Sequence, residues 1–94
     1  MTEQATIAVE PARDNVLAWL IARVAHYLNE PVELIDGRAD LSRYGLESVY
    51  AFALCGEIDE VWGAVIEPIL FWDVRNLAEL ADHIVEVASR PPVR

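Results

Sequence analysis

Tyr44, Gly45, Leu46, Glu47 and Ser48 place one serine hydroxyl, with a carboxylate beside it, at the start of a predicted helix. Such a hydroxyl can attack a substrate inside an active site, or it can serve as the attachment point of an anionic group. Attack needs a base. The two histidines, His26 and His83, fall on the first and last predicted helices with no sequence signature around them, and both read as surface residues. Attack also needs an oxyanion hole and a pocket, which 94 residues on four helices can hardly enclose. Attachment needs less. The first backbone N–H groups of a helix are unpaired and the helix dipole is positive there, so an anion at Ser48 is favoured. An unmodified serine suits the same place as a preferred N-cap residue. Gly45 keeps the approach uncrowded and can take backbone angles closed to other residues, while Leu46 can turn inward and fix the loop.

The elements that must position this serine follow from the apolar pattern. A first helix starts near Pro11 or Asp14 and stops before Pro31, with Val16, Leu17, Leu20, Ile21, Val24 and Leu28 as its inward stripe and Trp19 and Tyr27 at the margins. Residues 29–47 contain Pro31, Asp36, Gly37, Asp40 and Gly45 and read as a long connection, pinned across the bundle by Val32, Leu34, Ile35, Leu41 and Leu46. Asp36 and Asp40 lack the remaining ligand positions of a calcium loop. A second helix runs from Ser48 to about Trp62, with Phe52, Cys55, Ile58 and either Val61 or Trp62 turned inward. Its opposite face carries Val49, Tyr50, Ala53, Gly56, Asp59 and Glu60. A short third helix begins at Pro68, and most of Ile69, Leu70, Phe71 and Trp72 belong to the core. Asp73 can cap the final helix, whose inward side is Leu77, Leu80, Ala81, Ile84 and Val87 and whose end lies near Ser89.

Composition bounds the function. The length fits one domain, residues 11–89, between flexible tails at 1–10 and 90–94. Sixteen acidic residues against seven basic ones give a net charge of −9, which argues against nucleic acid and for partners with basic patches. The single cysteine, Cys55, cannot form an internal disulfide and reads as a small core residue, so a reducing cytoplasm is the expected setting. No signal peptide and no stretch of membrane-spanning length is present, which predicts a soluble monomer with no membrane partner. Met1 and the short tails point to a discrete protein.

The run LSRYGLESVYAFAL resembles the prosthetic-group attachment region of acyl carrier proteins, where Gly, Leu, an acidic residue and Ser open the second helix of a small bundle. The resemblance extends over roughly residues 12–88, because the helix order also matches. It implies an all-α four-helix bundle with a long loop between helices 1 and 2 and a short third helix. It implies a covalent 4'-phosphopantetheine arm on Ser48, whose thiol holds acyl groups as thioesters, and no catalysis by the chain itself. A phosphopantetheinyl transferase would install the arm, and acyltransferases, ketosynthases or other acyl-processing enzymes would meet it. Gly45, Leu46, Glu47, Val49, Tyr50, Ala53, Gly56, Asp59 and Glu60 would form the surface those partners recognise.

Within the resemblance, Tyr44, Gly45, Leu46 and Glu47 look more like an acyl carrier of polyketide or fatty-acid biosynthesis than a peptidyl carrier of nonribosomal peptide synthesis, which usually has a second Gly near the serine. The segment PILFWDVRNLAELADHI looks closer to polyketide carriers. A helical protein-interaction module is the alternative outside the family. Two positions depart from the family pattern. Glu47 replaces the usual Asp before the serine and Val49 the usual Leu after it, which changes what a transferase and its partners meet without removing charge or apolarity.

Overall fold

Pro11 and Pro31 bracket the first apolar stripe, and α1 runs between them as Arg13–Leu28 in the computed structural model, which describes residues 12–41 and 48–89. Val16, Leu20 and Val24 are fully buried on one face, with Leu17, Ile21, Trp19 and Tyr27 packed at the edges of the core. Asn29 ends the helix in the left-handed region, φ 56°, and the N–H groups of Asn29 and Glu30 bond to the carbonyls of His26 and Ala25. That pairing satisfies two of the carbonyls a helix end leaves open.

The connection to the next helix begins with a 3-10 turn, Val32–Leu34. Only part of it is pinned as the apolar pattern predicts. Ile35 and Leu41 are buried, whereas Val32 and Leu34 lie exposed on the turn, and Leu46 lies outside the described residues. Backbone bonds do the remaining work, from Leu41 N–H to the Arg75 carbonyl and from Ala78 N–H to the Gly37 carbonyl. Gly37 lies close under α1 at this seam: a Cβ there would meet the Leu17 side chain at 3.1 Å, and that side chain would have to yield by a few tenths of an ångström. The loop is thus stitched to the start of the last helix.

Helix α2 is Ser48–Trp62. Its buried positions are Ala51, Leu54, Ile58 and Trp62, so the inward face differs from the predicted Phe52, Cys55, Ile58 stripe. Phe52 points to solvent, Cys55 is half-buried, and Trp62 rather than Val61 closes the stripe, meeting Trp19 edge-on at 6.0 Å. Gly63 then ends the helix with φ 69°, a conformation that favours glycine.

An extended segment buries Ala64 and Ile66 before the four-residue helix α3, Leu70–Asp73, which starts two residues later than predicted from Pro68. Phe71 is buried and Leu70 is half-buried, while Ile69 and Trp72 are exposed, against the expectation that most of this group is core. Helix α4, Leu77–Ser89, buries Leu77, Leu80, Ala81 and Ile84 and packs most extensively on α1.

Asn76, not Asp73, caps α4. Its Oδ1 accepts the Glu79 N–H at 2.8 Å, and Glu79 Oε1 accepts the Arg75 N–H at 3.0 Å, a reciprocal cap one residue wider than the usual box. Asp73 is instead consumed as the last residue of α3. Asn76→Ala is expected to destabilise the domain by about 1 kcal/mol, read as a lower urea midpoint at unchanged slope. The described residues form four helices with no strand, and no helix among them is long and apolar enough to cross a membrane.

Candidate functional site

The first turn of α2 is the place where helix physics and the sequence motif coincide. Ser48 is its first helical residue. Gly45, Leu46 and Glu47 lie outside the described residues. The first turn from Ser48 on carries no acidic residue, Glu47 standing immediately before it in the sequence, and the first N–H groups of any helix lack partners within the helix.

Aromatic packing anchors this end of the helix. Tyr50, two residues on from Ser48, stacks on Tyr27 of α1 with ring centroids 5.4 Å apart and planes 18° from parallel. It is half-buried, so it serves the α1–α2 contact as well as the face assigned to partners. Two turns along, Arg23 of α1 donates through Nε and Nη2 to the two carboxylate oxygens of Glu57 at 2.8 and 3.1 Å. Glu57 holds the Arg23 guanidinium still more firmly protonated, and the same guanidinium lies 5.4 Å from the Tyr27 ring centroid. Burial, with Glu57 assisting, pushes the Tyr27 phenol above its ordinary range. Together these contacts join α2 to α1. The sequence pattern gave no sign of them, because two charged residues 34 positions apart carry no periodic signal.

Of the predicted partner face, Val49, Ala53, Gly56, Asp59 and Glu60 are all exposed, as expected, and Phe52 joins them. A Cβ added at Gly56 would meet nothing within 4 Å. No packing need therefore explains a glycine in mid-helix, and Gly56→Ala is expected to raise stability by about 0.5–1 kcal/mol in thermal or urea unfolding. Cys55 is different. Burial pushes its thiol upward, which leaves less thiolate and makes it a poor nucleophile. His26 and His83 are exposed on α1 and α4.

A family model described as the phosphopantetheine attachment site matches residues 18–84, from within α1 to within α4. The chain belongs to the phosphopantetheine-attachment family. Such a domain is the site of covalent 4'-phosphopantetheine attachment, carries substrates and is not itself catalytic. The residues present fit that group, since a helix start, where an anion is favoured, coincides with a first turn free of acidic residues and an exposed flank at Val49 and Ala53.

Solved structures of carriers superpose on this domain. A free-standing peptidyl carrier protein from Acinetobacter baumannii is 26% identical, with a TM-score of 0.76 over 82% of this chain and 96% of that one. An acyl carrier protein from Anabaena sp. PCC 7120, described as having a variant phosphopantetheinylation-site sequence, is 25% identical with a TM-score of 0.73, covering 94% and 99%. The HMG-ACPI domain of the CurA module from Lyngbya majuscula shares the fold at a TM-score of 0.74 and 19% identity, over 95% and 87%. The four-helix carrier fold predicted from the sequence is thereby shown. Carrier domains as a class meet phosphopantetheinyl transferases and acyl-processing enzymes.

Proposed function

We propose that Ser48 bears the phosphopantetheine arm and that the domain carries acyl intermediates in polyketide or related fatty-acyl biosynthesis. One observation carries the reading: the serine of the Gly45, Leu46, Glu47, Ser48 run opens α2, inside the matched span, where an anion is favoured. In the transfer, the Ser48 oxygen bonds to the phosphorus that bears pantetheine, and the diphosphate bond of coenzyme A breaks. Adenosine 3',5'-bisphosphate leaves, and the hydroxyl proton passes to a base of the transferase. The bound arm supplies a thiol on which acyl groups ride as thioesters. This chain supplies the first turn of α2, the Tyr27–Tyr50 and Arg23–Glu57 contacts that tie α2 to α1, and a face for docking. Tethering raises the effective concentration of cargo at each docked enzyme.

Acyl rather than peptidyl cargo is favoured by Tyr44, Gly45, Leu46 and Glu47, which lack a second glycine before the serine. Peptidyl cargo is the second reading, and the similarity to the Acinetobacter carrier favours it. Incubation with a broad-specificity transferase and coenzyme A is expected to add one phosphopantetheine, read by intact mass. A chain left unmodified by several transferases would contradict the proposal. Loading with malonyl- or aminoacyl-coenzyme A analogues and then presenting the product to a ketosynthase or a condensation enzyme separates the two cargo classes.

A further inference from the structure

All seven basic residues of the chain are arginines, so its 94 residues hold no lysine and no side-chain amine. Charge does not explain the choice, because lysine and arginine serve solubility alike. Ion pairing explains part of it. Arg13 and Arg23 bind the carboxylates of Asp82 and Glu57, the use to which a planar guanidinium is best suited. Arg38 and Arg75 are exposed and make no ion pair among the described residues, so a lysine would serve equally well there. What separates the two side chains at such places is reactivity. A lysine loses its proton near a pKa of about 10.4 and its free amine attacks acyl carbon, whereas a guanidinium stays protonated and does not.

The surface along α2 has the same character. Val49, Phe52, Ala53, Gly56, Asp59 and Glu60 are exposed there and carry no amine, thiol or hydroxyl. Cys55, the one thiol of the chain, is half-buried, and burial pushes its pKa up; burial, with Glu57 assisting, does the same to the Tyr27 phenol. Tyr50 is half-buried in its stack on Tyr27. The imidazoles of His26 and His83 lie on α1 and α4, and an acyl-imidazole hydrolyses without leaving a lasting adduct.

We infer that the chain protects the thioester it carries, by offering the tethered acyl group no side-chain amine to which it can be lost; the inference rests on the assignment of Ser48 as the attachment point. In the loss so prevented, a neutral amine nitrogen bonds to the thioester carbonyl carbon and the carbon–sulfur bond breaks. The amine proton passes through water to the thiolate, and a stable amide remains. Tethering makes this reaction a hazard. An effective concentration on the order of 1 mM, against about 10 µM of chain in solution, makes transfer within a chain roughly 100-fold faster than transfer between chains.

Gly56 is the place to test this, because a Cβ added there meets nothing within 4 Å and lysine is a good helix former. It lies about 12 Å along the helix from Ser48, less than the length of an extended phosphopantetheine arm. The wild type, Gly56→Lys and Gly56→Arg are loaded to completion from acetyl-coenzyme A by a broad-specificity transferase and then held at pH 9. Transfer to an amine leaves the mass of the chain unchanged. It is read instead by hydroxylamine, which cleaves thioesters and spares amides, and by alkylation of the freed arm thiol. Gly56→Lys is expected to gain hydroxylamine-resistant acetyl roughly tenfold faster than the wild type, at a rate independent of chain concentration, with peptide mapping placing it at position 56. Gly56→Arg adds the same charge without the amine and should match the wild type, as should Cys55→Ser. Resistant acetyl on any side chain of the wild type, or a Gly56→Lys chain whose acetyl stays as sensitive to hydroxylamine as the wild type's, would overturn the inference alone. A wild-type chain that accepts no acetyl-phosphopantetheine overturns the attachment reading and the inference with it.

Discussion

Ser48→Ala is expected to take phosphopantetheine transfer from complete to none while leaving the fold in place. The two effects separate cleanly because they have different physical origins. Ser48 is the first residue of α2, where exchange for alanine changes stability by about 1 kcal/mol or less, the scale of a helix-start substitution. Transfer instead requires one particular aliphatic hydroxyl, and no serine or threonine lies within five residues of it. The chain has only three serines, Ser42, Ser48 and Ser89, and its threonines are Thr2 and Thr6. Intact mass and a urea melt on the same sample check both halves of the expectation.

The second large effect belongs to the core. Leu80→Ala removes a fully buried side chain from the α1–α4 packing and is expected to cost about 3 kcal/mol, from lost transfer energy and the cavity left behind. The same change at Leu34, which is 64% exposed on the 3-10 turn, is expected to stay within about 0.5 kcal/mol. For a domain of this size the Leu80 variant should melt roughly 10–20 °C lower. Urea or thermal unfolding of the pair decides it, and equal losses at both positions would contradict the burial pattern.

The difference between these two leucines also marks where sequence is legible. The ends of α1 and α4 were readable because prolines punctuate them, and α4 was readable because Glu79, Asp82, His83 and Glu86 separate its apolar side from water. Helix α2 was not readable in the same way. Val49, Tyr50, Phe52, Leu54, Cys55, Ile58, Val61 and Trp62 make it apolar almost all round, so two stripes that share Ile58 fit the spacing equally well. The structure chooses Ala51, Leu54, Ile58 and Trp62, because α2 must also join Tyr27 and Arg23 of α1 through Tyr50 and Glu57. That choice puts Phe52 outside and creates a groove with Trp72. A density of apolar residues signals burial only on average. At Ile69 and Trp72 it signals exposed contact surface instead.

The site divides along the same line. Ser48 stood out because a residue type, a helix start and a family motif agree at one position. The α1–α2 contacts that orient it, and the long-loop seam at Gly37 and Leu41, depend on pairs distant in sequence. No local pattern encodes such pairs.

Carriage through Ser48 is tested most directly by locating the modification. Trypsin cuts after Arg43 and Arg75, and the 44–75 peptide between them contains one serine and no threonine. After reaction with a transferase and coenzyme A, fragmentation of this peptide is expected to place a single phosphopantetheine on Ser48. Its appearance on a peptide bearing Ser42 or Ser89, or on none, would contradict the account.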